Sequence, residues 1–397
     1  MKVRLISFFV VVFAIQTVFA QLTSLGSVNN YNSSKLYFLG NQLYAATSQG
    51  LYQRELNGAE SEWEKLSFAD RKVIDFVVRT DTLIALNDSC LMISTDGGRT
   101  SKFISVDAIA PGWKEKPYYN GSTSIGKIQL QGLAVHPHDA KKIYVAYKGL
   151  SYTEDGGETW RIVDEGMHIE GIFYNPLDAD NLIACAHTTT DLIVLDKYAK
   201  VYVSTDAGTN WTLGFYGNYT TTTMKGVAFH PTDASRVLLY GTGIYAMSND
   251  YGQTWQTIKA EPNNPIMDTP LVYLDYLIYD SRNPNVLYGA DWEASYETEK
   301  KVRILRSTDS GLSWDVFYTI DNSIIVRSMS MNDGVLAIAT AQGGIFLLNV
   351  EAVESSIVST KIEPTTSYYD LSGRKVAHPT RGIYIEDGKK VLVNVER

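Results

Sequence analysis

Short runs rich in β-branched and aromatic residues, each closed by Gly, Pro, Asp or Asn, recur along most of the chain. This is the punctuation of β-strands. Residues 131–163 show it best. Gln131-Gly132-Leu133-Ala134-Val135 predicts a first strand, ended by His136-Pro137-His138-Asp139. Lys142 to Tyr147 predicts a second, Gly149-Leu150-Ser151-Tyr152 leads into a third, and Trp160-Arg161-Ile162-Val163 begins a fourth. The same order returns from Gly171, from Gly226 and from Leu277.

Between the third and fourth strands sits an eight-residue pattern, Ser/Thr-x-Asp-x-Gly-x-Thr-Trp. Ser204 to Trp211 is one copy; others run Ser94–Ser101, Thr153–Trp160, Ser248–Trp255 and Ser307–Trp314. The anchoring aspartates are Asp96, Asp155, Asp206, Asp250 and Asp309. Trp160, Trp211, Trp255 and Trp314 close four of the copies, and Ser101 replaces the tryptophan in the remaining one. Such a period, with insertions, points to a propeller or a similar array. Asp can accept from main-chain N–H groups of its own turn, Gly permits positive φ, and Thr adds a hydroxyl. Trp offers a large apolar face to pack between sheets. The boxes therefore read as structural staples and not as the chemical site.

Two further units complete the count. Leu36 to Phe68 keeps the strand pattern without a box, and Ile324 to Val350 supplies three strands. The expected fold is all-β: a seven-bladed β-propeller with Asp-box turns over residues 21–353, with Leu22 to Val28 able to supply the missing strand of the last blade. Closure of this kind removes free sheet edges.

The boxes resemble the sialidase-type repeats shared by bacterial sialidases, xyloglucanase-type glycoside hydrolases, sortilin-type receptors and photosystem II assembly-factor propellers. The resemblance covers roughly 36–350, and it implies the fold more than any activity, because those families differ in function on one scaffold. Sialidases carry Arg-Ile-Pro and three arginines that clamp a carboxylate; no Arg-Ile-Pro occurs here. Xyloglucanase-type enzymes carry two tandem propellers, and sortilin-type receptors carry ten blades with cysteine-rich modules. Each departure weighs against an enzyme.

Aligning the blades by their first hairpins gives one channel-mouth position per blade: Ser34, Asp75, Gln131, Glu170, Lys225, Asp275 and Arg327. On a ring these would form a mixed-sign collar. Asp75, Glu170 and Asp275 are the candidate catalytic carboxylates, since glycoside hydrolysis uses a pair. Ser34, Gln131, Lys225 and Arg327 are candidate ligand contacts. Polar residues that are simply solvated, or paired with one another, are the competing reading. Asp291-Trp292-Glu293 with Tyr296 and Glu297, and Trp113 with Tyr118 and Tyr119, are loop clusters where aromatics beside carboxylates would suit sugar stacking. His136 and His230 precede prolines, where turn geometry accounts for them. No metal-ligand spacing or Ser/His/Asp constellation stands out, and neither metal nor cofactor is expected.

Composition narrows the partners. The 397 residues carry a formal net charge of −9 and no Lys/Arg cluster, against nucleic acid or anionic lipid and in favour of a glycan or an extracellular protein. Residues 1–20 read as a secretory signal: Lys2 and Arg4, the apolar run Leu5–Ile15, then Val18-Phe19-Ala20 as a cleavage site. No second long apolar run follows, so no transmembrane segment is expected in the mature chain. Cys90 and Cys185 fall in non-adjacent blades and are expected to stay unbridged.

After a polar linker over 354–366, residues 367–397 present Tyr369-Asp370-Leu371-Ser372-Gly373-Arg374, Gly382-Ile383-Tyr384-Ile385 and Gly388-Lys389-Lys390. This triple resembles the C-terminal sorting domain of Bacteroidota type IX secretion cargo. The resemblance implies a small β-module, recognition by outer-membrane secretion machinery, and a secreted or surface location reached through the periplasm. The functional expectation is a glycan- or protein-binding propeller; a sialidase-like or xyloglucanase-like hydrolase is the alternative.

Overall fold

The computed structural model describes residues 22–28, 33–56, 61–66, 68, 70–112, 130–147, 149–164, 169–186, 199–217, 223–260, 271–291, 301–321, 325–341, 344–354, 368–369, 375–376, 382–386 and 389–393. Within 22–349, which form one compact unit, seven four-stranded antiparallel sheets follow one another as the blades of a propeller. The first six blades each use four consecutive strands; blade three, for instance, runs Gly132–Val135, Ile143–Ala146, Leu150–Thr153 and Arg161–Asp164.

The seventh blade is built differently. Val326–Asn332, Val335–Thr340 and Gly344–Asn349 pair in order, and Leu22–Gly26 adds the outermost strand with Leu22 opposite Leu348. The chain start thus closes the ring, as the missing fourth strand predicts. A Cβ at Gly344, whose φ is +88°, would lie 2.6 Å from the Gly26 carbonyl oxygen, so this close approach requires glycine. On the inner side the junction with blade one is tied by side chains. The Leu36 N–H donates to Ser328 Oγ and the Phe38 N–H to Ser330 Oγ, both at 2.9 Å, and Asn332 Nδ2 donates to the Gly40 carbonyl.

Burial explains the sequence pattern blade by blade. Second strands such as Ile143–Ala146 and Leu182–Ala186 are buried throughout, because a neighbouring blade covers each face. They therefore read as unbroken apolar runs rather than alternating ones. Outermost strands such as Thr212–Tyr216 and Glu64–Lys65 are largely exposed. The core is accordingly a series of layers between blades: Ile84, Leu86 and Ile104 meet Leu133, Val135 and Ile143, while Ile183 and Val203 meet Val237 and Leu239.

The box turns behave as the residue types predict. Asp155 accepts from the Glu158 and Thr159 N–H groups at 2.9 and 3.0 Å and from the Thr159 hydroxyl at 2.6 Å. Thr153 Oγ1 donates to the same carboxylate and accepts from the Gly157 N–H. The copy at Asp96 repeats every one of these bonds, and that at Asp206 keeps the plan with Asn210 replacing Thr. Hydroxyl and main-chain donors hold the Asp96 and Asp155 carboxyls well below the usual carboxylate range.

What the sequence pattern does not reveal is that the boxes at Asp206 and Asp309 also lock to the preceding blade through a tyrosine. Tyr144 of blade three donates to the Ala207 carbonyl, and Tyr245 of blade five to the Gly311 carbonyl. Gly208, at φ +81°, leaves room for the Tyr144 hydroxyl, with which any Cβ would collide. Trp211 stands edge-on to Tyr144 at 6.5 Å, and Trp314 to Tyr245 at 6.3 Å.

The two cysteines are buried and unbridged. Beyond the propeller, Tyr368–Tyr369, Lys375–Val376, Gly382–Glu386 and Lys389–Val393 form a further four-stranded sheet. Among the described residues no helix is long and apolar enough to cross a membrane.

Candidate functional site

The first strands of most neighbouring blades lie side by side around a central channel. Near one end, these strands depart from regular pairing at the same place. In blade four Ile169 faces Ala186 and Gly171 faces Cys185, which leaves Glu170 as the extra residue of a β-bulge. Ser34, Lys225, Asp275 and Arg327 occupy the same bulge in blades one, five, six and seven. Bulges break side-chain alternation and re-aim what they carry, and they favour functional rims. In blade three, Gln131 donates its N–H to Ala146, whose cross-strand partner is Gly132, so Gln131 stands at the same level.

Blade two corrects the expected alignment. Asp75 pairs with Leu86 and Ile74 donates to the Leu86 carbonyl, so Ile74 holds the bulge level. Asp75 sits one residue deeper, level with Lys35 and Gly132. The collar is therefore six bulge-level polar positions and one isoleucine. Blade two's first hairpin pairs without a register shift from Asp75 to Arg79, so Asp75 is an ordinary paired residue and not a bulged one.

That displacement places Asp75 beside a cation. Lys35 Nζ of blade one forms an ion pair with Asp75 and donates to the Phe76 carbonyl at 3.1 Å. Burial alone would lower the Lys35 ammonium, but the Asp75 carboxylate outweighs it and holds the lysine above its ordinary value. A second pair crosses the next-but-opposite junction: Lys225 Nζ of blade five lies 3.5 Å from Asp275 of blade six, whose side chain is only 4% exposed. Burial raises the Asp275 carboxyl, with Lys225 and then Arg327 opposing the rise. Asp291, at the end of blade six's second strand, is held by Arg303 at 2.6 Å. Arg327 itself is exposed at the rim.

Beneath the mouth lies a cavity of about 650 Å³. Lys35, Asp75, Gln131 and Lys225 line its polar side. Tyr37, Phe173, Tyr240 and Tyr276 supply aromatic wall. Tyr240 reaches it across Gly226, where a Cβ would lie 2.7 Å from the tyrosine hydroxyl. Gln131 Oε1 is buried and has no hydrogen-bond partner among the described residues. The aromatic residues were missed by sequence reasoning focused on charge; the strand alternation that puts Tyr37 two positions after Lys35 was the available signal.

Ser34 and Glu170 lie on described strands, but their side chains lie outside the described residues. Trp292, Glu293, Tyr296 and Glu297, together with Trp113, Tyr118 and Tyr119, also lie outside them. His136 and His230 use Nδ1 to accept from the main-chain N–H two residues on, a turn role. Among the described residues no group of three or more His, Cys, Asp or Glu could hold a metal ion.

Residues 148–266 match the Sortilin-Vps10 family (Sortilin, neurotensin receptor 3). No curated protein matches the chain. Among solved structures, the GH74 xyloglucanase from Xanthomonas campestris is similar at 16% identity and TM-score 0.60. That likeness covers 84% of this chain but only 54% of the xyloglucanase. YCF48 from Cyanidioschyzon merolae is similar at 12% identity and TM-score 0.57, over 84% of this chain and 99% of that one. A structure of YCF48 bound to D1 peptide is similar at 15% identity and TM-score 0.54, over 83% and 96%. These likenesses establish the seven-bladed all-β fold.

Proposed function

We propose that this chain is an exported propeller that binds a glycan or an extracellular protein at its channel mouth, without turning it over. The observation that carries the reading is the pairing of Asp75 and Asp275, the candidate carboxylates whose side chains are described. Asp75 is tied to Lys35, and Asp275 is buried against Lys225. A retaining or inverting glycosidase needs one carboxyl as acid and another as a base or nucleophile facing the substrate. Asp75 is committed to an ammonium, and Asp275 is shielded from the cavity.

The alternative, a glycoside hydrolase, draws on one feature: burial raises the Asp275 carboxyl, as a general acid requires. Hydrolysis and binding assays on a broad glycan and protein panel separate the two. Binding without turnover supports the module; turnover lost in Asp75→Ala or Asp275→Ala overturns it.

For location, the signal-like residues 1–20 and the sorting-domain-like motifs of 367–397 support export to the outer-membrane surface. Within those motifs Gly382–Glu386 pairs with Lys389–Val393, while Asp370 to Arg374 and Gly388 lie outside the described residues. Deleting 367–397 should retain the protein in the periplasm, and undiminished surface display would refute the sorting role.

A further inference from the structure

We infer that the channel cavity takes a neutral sugar residue, with hydroxyls on the Gln131 side and a ring face on the aromatic wall. The inference rests on the binding reading above and narrows its ligand. Charge is the first ground. The two lysines that line the cavity are each matched by a carboxylate from the next blade, Lys35 by Asp75 and Lys225 by Asp275. A ligand with net charge would meet no unmatched counter-charge on this described wall, and burying an uncompensated charge is costly.

Hydrogen bonding is the second ground. Gln131 lines the cavity, and its buried Oε1 has no hydrogen-bond partner among the described residues. Buried polar atoms are almost always paired, so the site asks for an O–H or N–H donor from its ligand. Shape is the third. Tyr37 is 41% exposed, and Phe173 and Tyr276 are half-buried on the same wall. Open aromatic faces among a few placed polar groups are what a C–H-faced, hydroxylated ring exploits.

An extended peptide fits less well. Strand addition would need free main-chain donors on an inner strand. On blade one, the Leu36 and Phe38 N–H groups are already taken by Ser328 and Ser330.

The test is titration calorimetry of the full chain against neutral oligosaccharides, sialylated and uronic-acid oligosaccharides, and a peptide panel. Neutral oligosaccharides should bind. Gln131→Met, close in volume but without the acceptor, and Tyr37→Ala should each weaken that binding about tenfold or more, with the melting temperature unchanged. Preference for acidic sugars or peptides, or full neutral-sugar affinity in folded Gln131→Met, overturns the ligand class and leaves the binding module standing. Absence of any ligand whose binding responds to Gln131→Met, Tyr37→Ala or Lys35→Met overturns both.

Discussion

The outer box turns and the inner bulges both repeat from blade to blade, but they repeat different things. At the boxes the residues recur: Asp96, Asp155 and Asp206 each accept from the N–H four residues on. At the bulges only the backbone recurs, while its passengers change from Ser34 to Glu170, Lys225, Asp275 and Arg327. A repeated side chain answers a need common to every blade, which is folding. A repeated backbone with varied side chains builds a single asymmetric rim, which is what recognition of one ligand demands.

That contrast can be broken most forcefully at a box glycine. Gly208→Val forces a branched side chain into positive φ and into Tyr144. It should cost about 3 kcal/mol or more, seen as a large drop in the denaturation midpoint. Trp211→Ala should follow at about 3 kcal/mol, since the ring packs at the interface of blades three and four. If either variant melts like the wild type while losing ligand binding, the division of labour is wrong.

The mouth should respond more mildly. Lys225→Ala removes the cation that opposes burial of Asp275, so that carboxyl rises further. Because an acid with a raised folded value loses stability as pH climbs through that value, the variant should weaken toward neutral pH. About 1–2 kcal/mol is expected, discounted for the partial exposure of Lys225. Measuring stability against pH checks both size and sign.

The boxes carry the opposite sign. The Asp155 carboxyl is held low in the fold. Its stabilisation is therefore complete above the ordinary carboxylate value of about 3.9 and is lost as pH falls toward the folded value. Asp155→Asn should be less stable at neutral pH yet show a flatter acid limb than the wild type. A parallel acid limb would remove Asp155 from the account.

The smallest effect belongs to the outer edge. Leu213 is 52% exposed on the outermost strand of blade four. Leu213→Ser should change stability by no more than about 0.5 kcal/mol and leave binding untouched.

Much of this was readable in the chain before folding. Strand runs, five boxes and three orphan strands at one end determined a closed seven-bladed ring, because strand pairing and turn geometry are local and recur with their residues. The level of the mouth residues was readable in the blades whose first strands share the bulge. It failed at Asp75, a regularly paired residue of blade two that stands one level deeper than the bulged residues of the other blades. Only the tertiary structure decided which charges meet, since Lys35 finds Asp75 and Lys225 finds Asp275 across blade junctions. Likewise, Tyr144 reaches a box some 60 residues on because stacking places neighbouring blades face to face. Local pattern specifies each blade; the company its side chains keep is set by closing the ring, which no single repeat encodes.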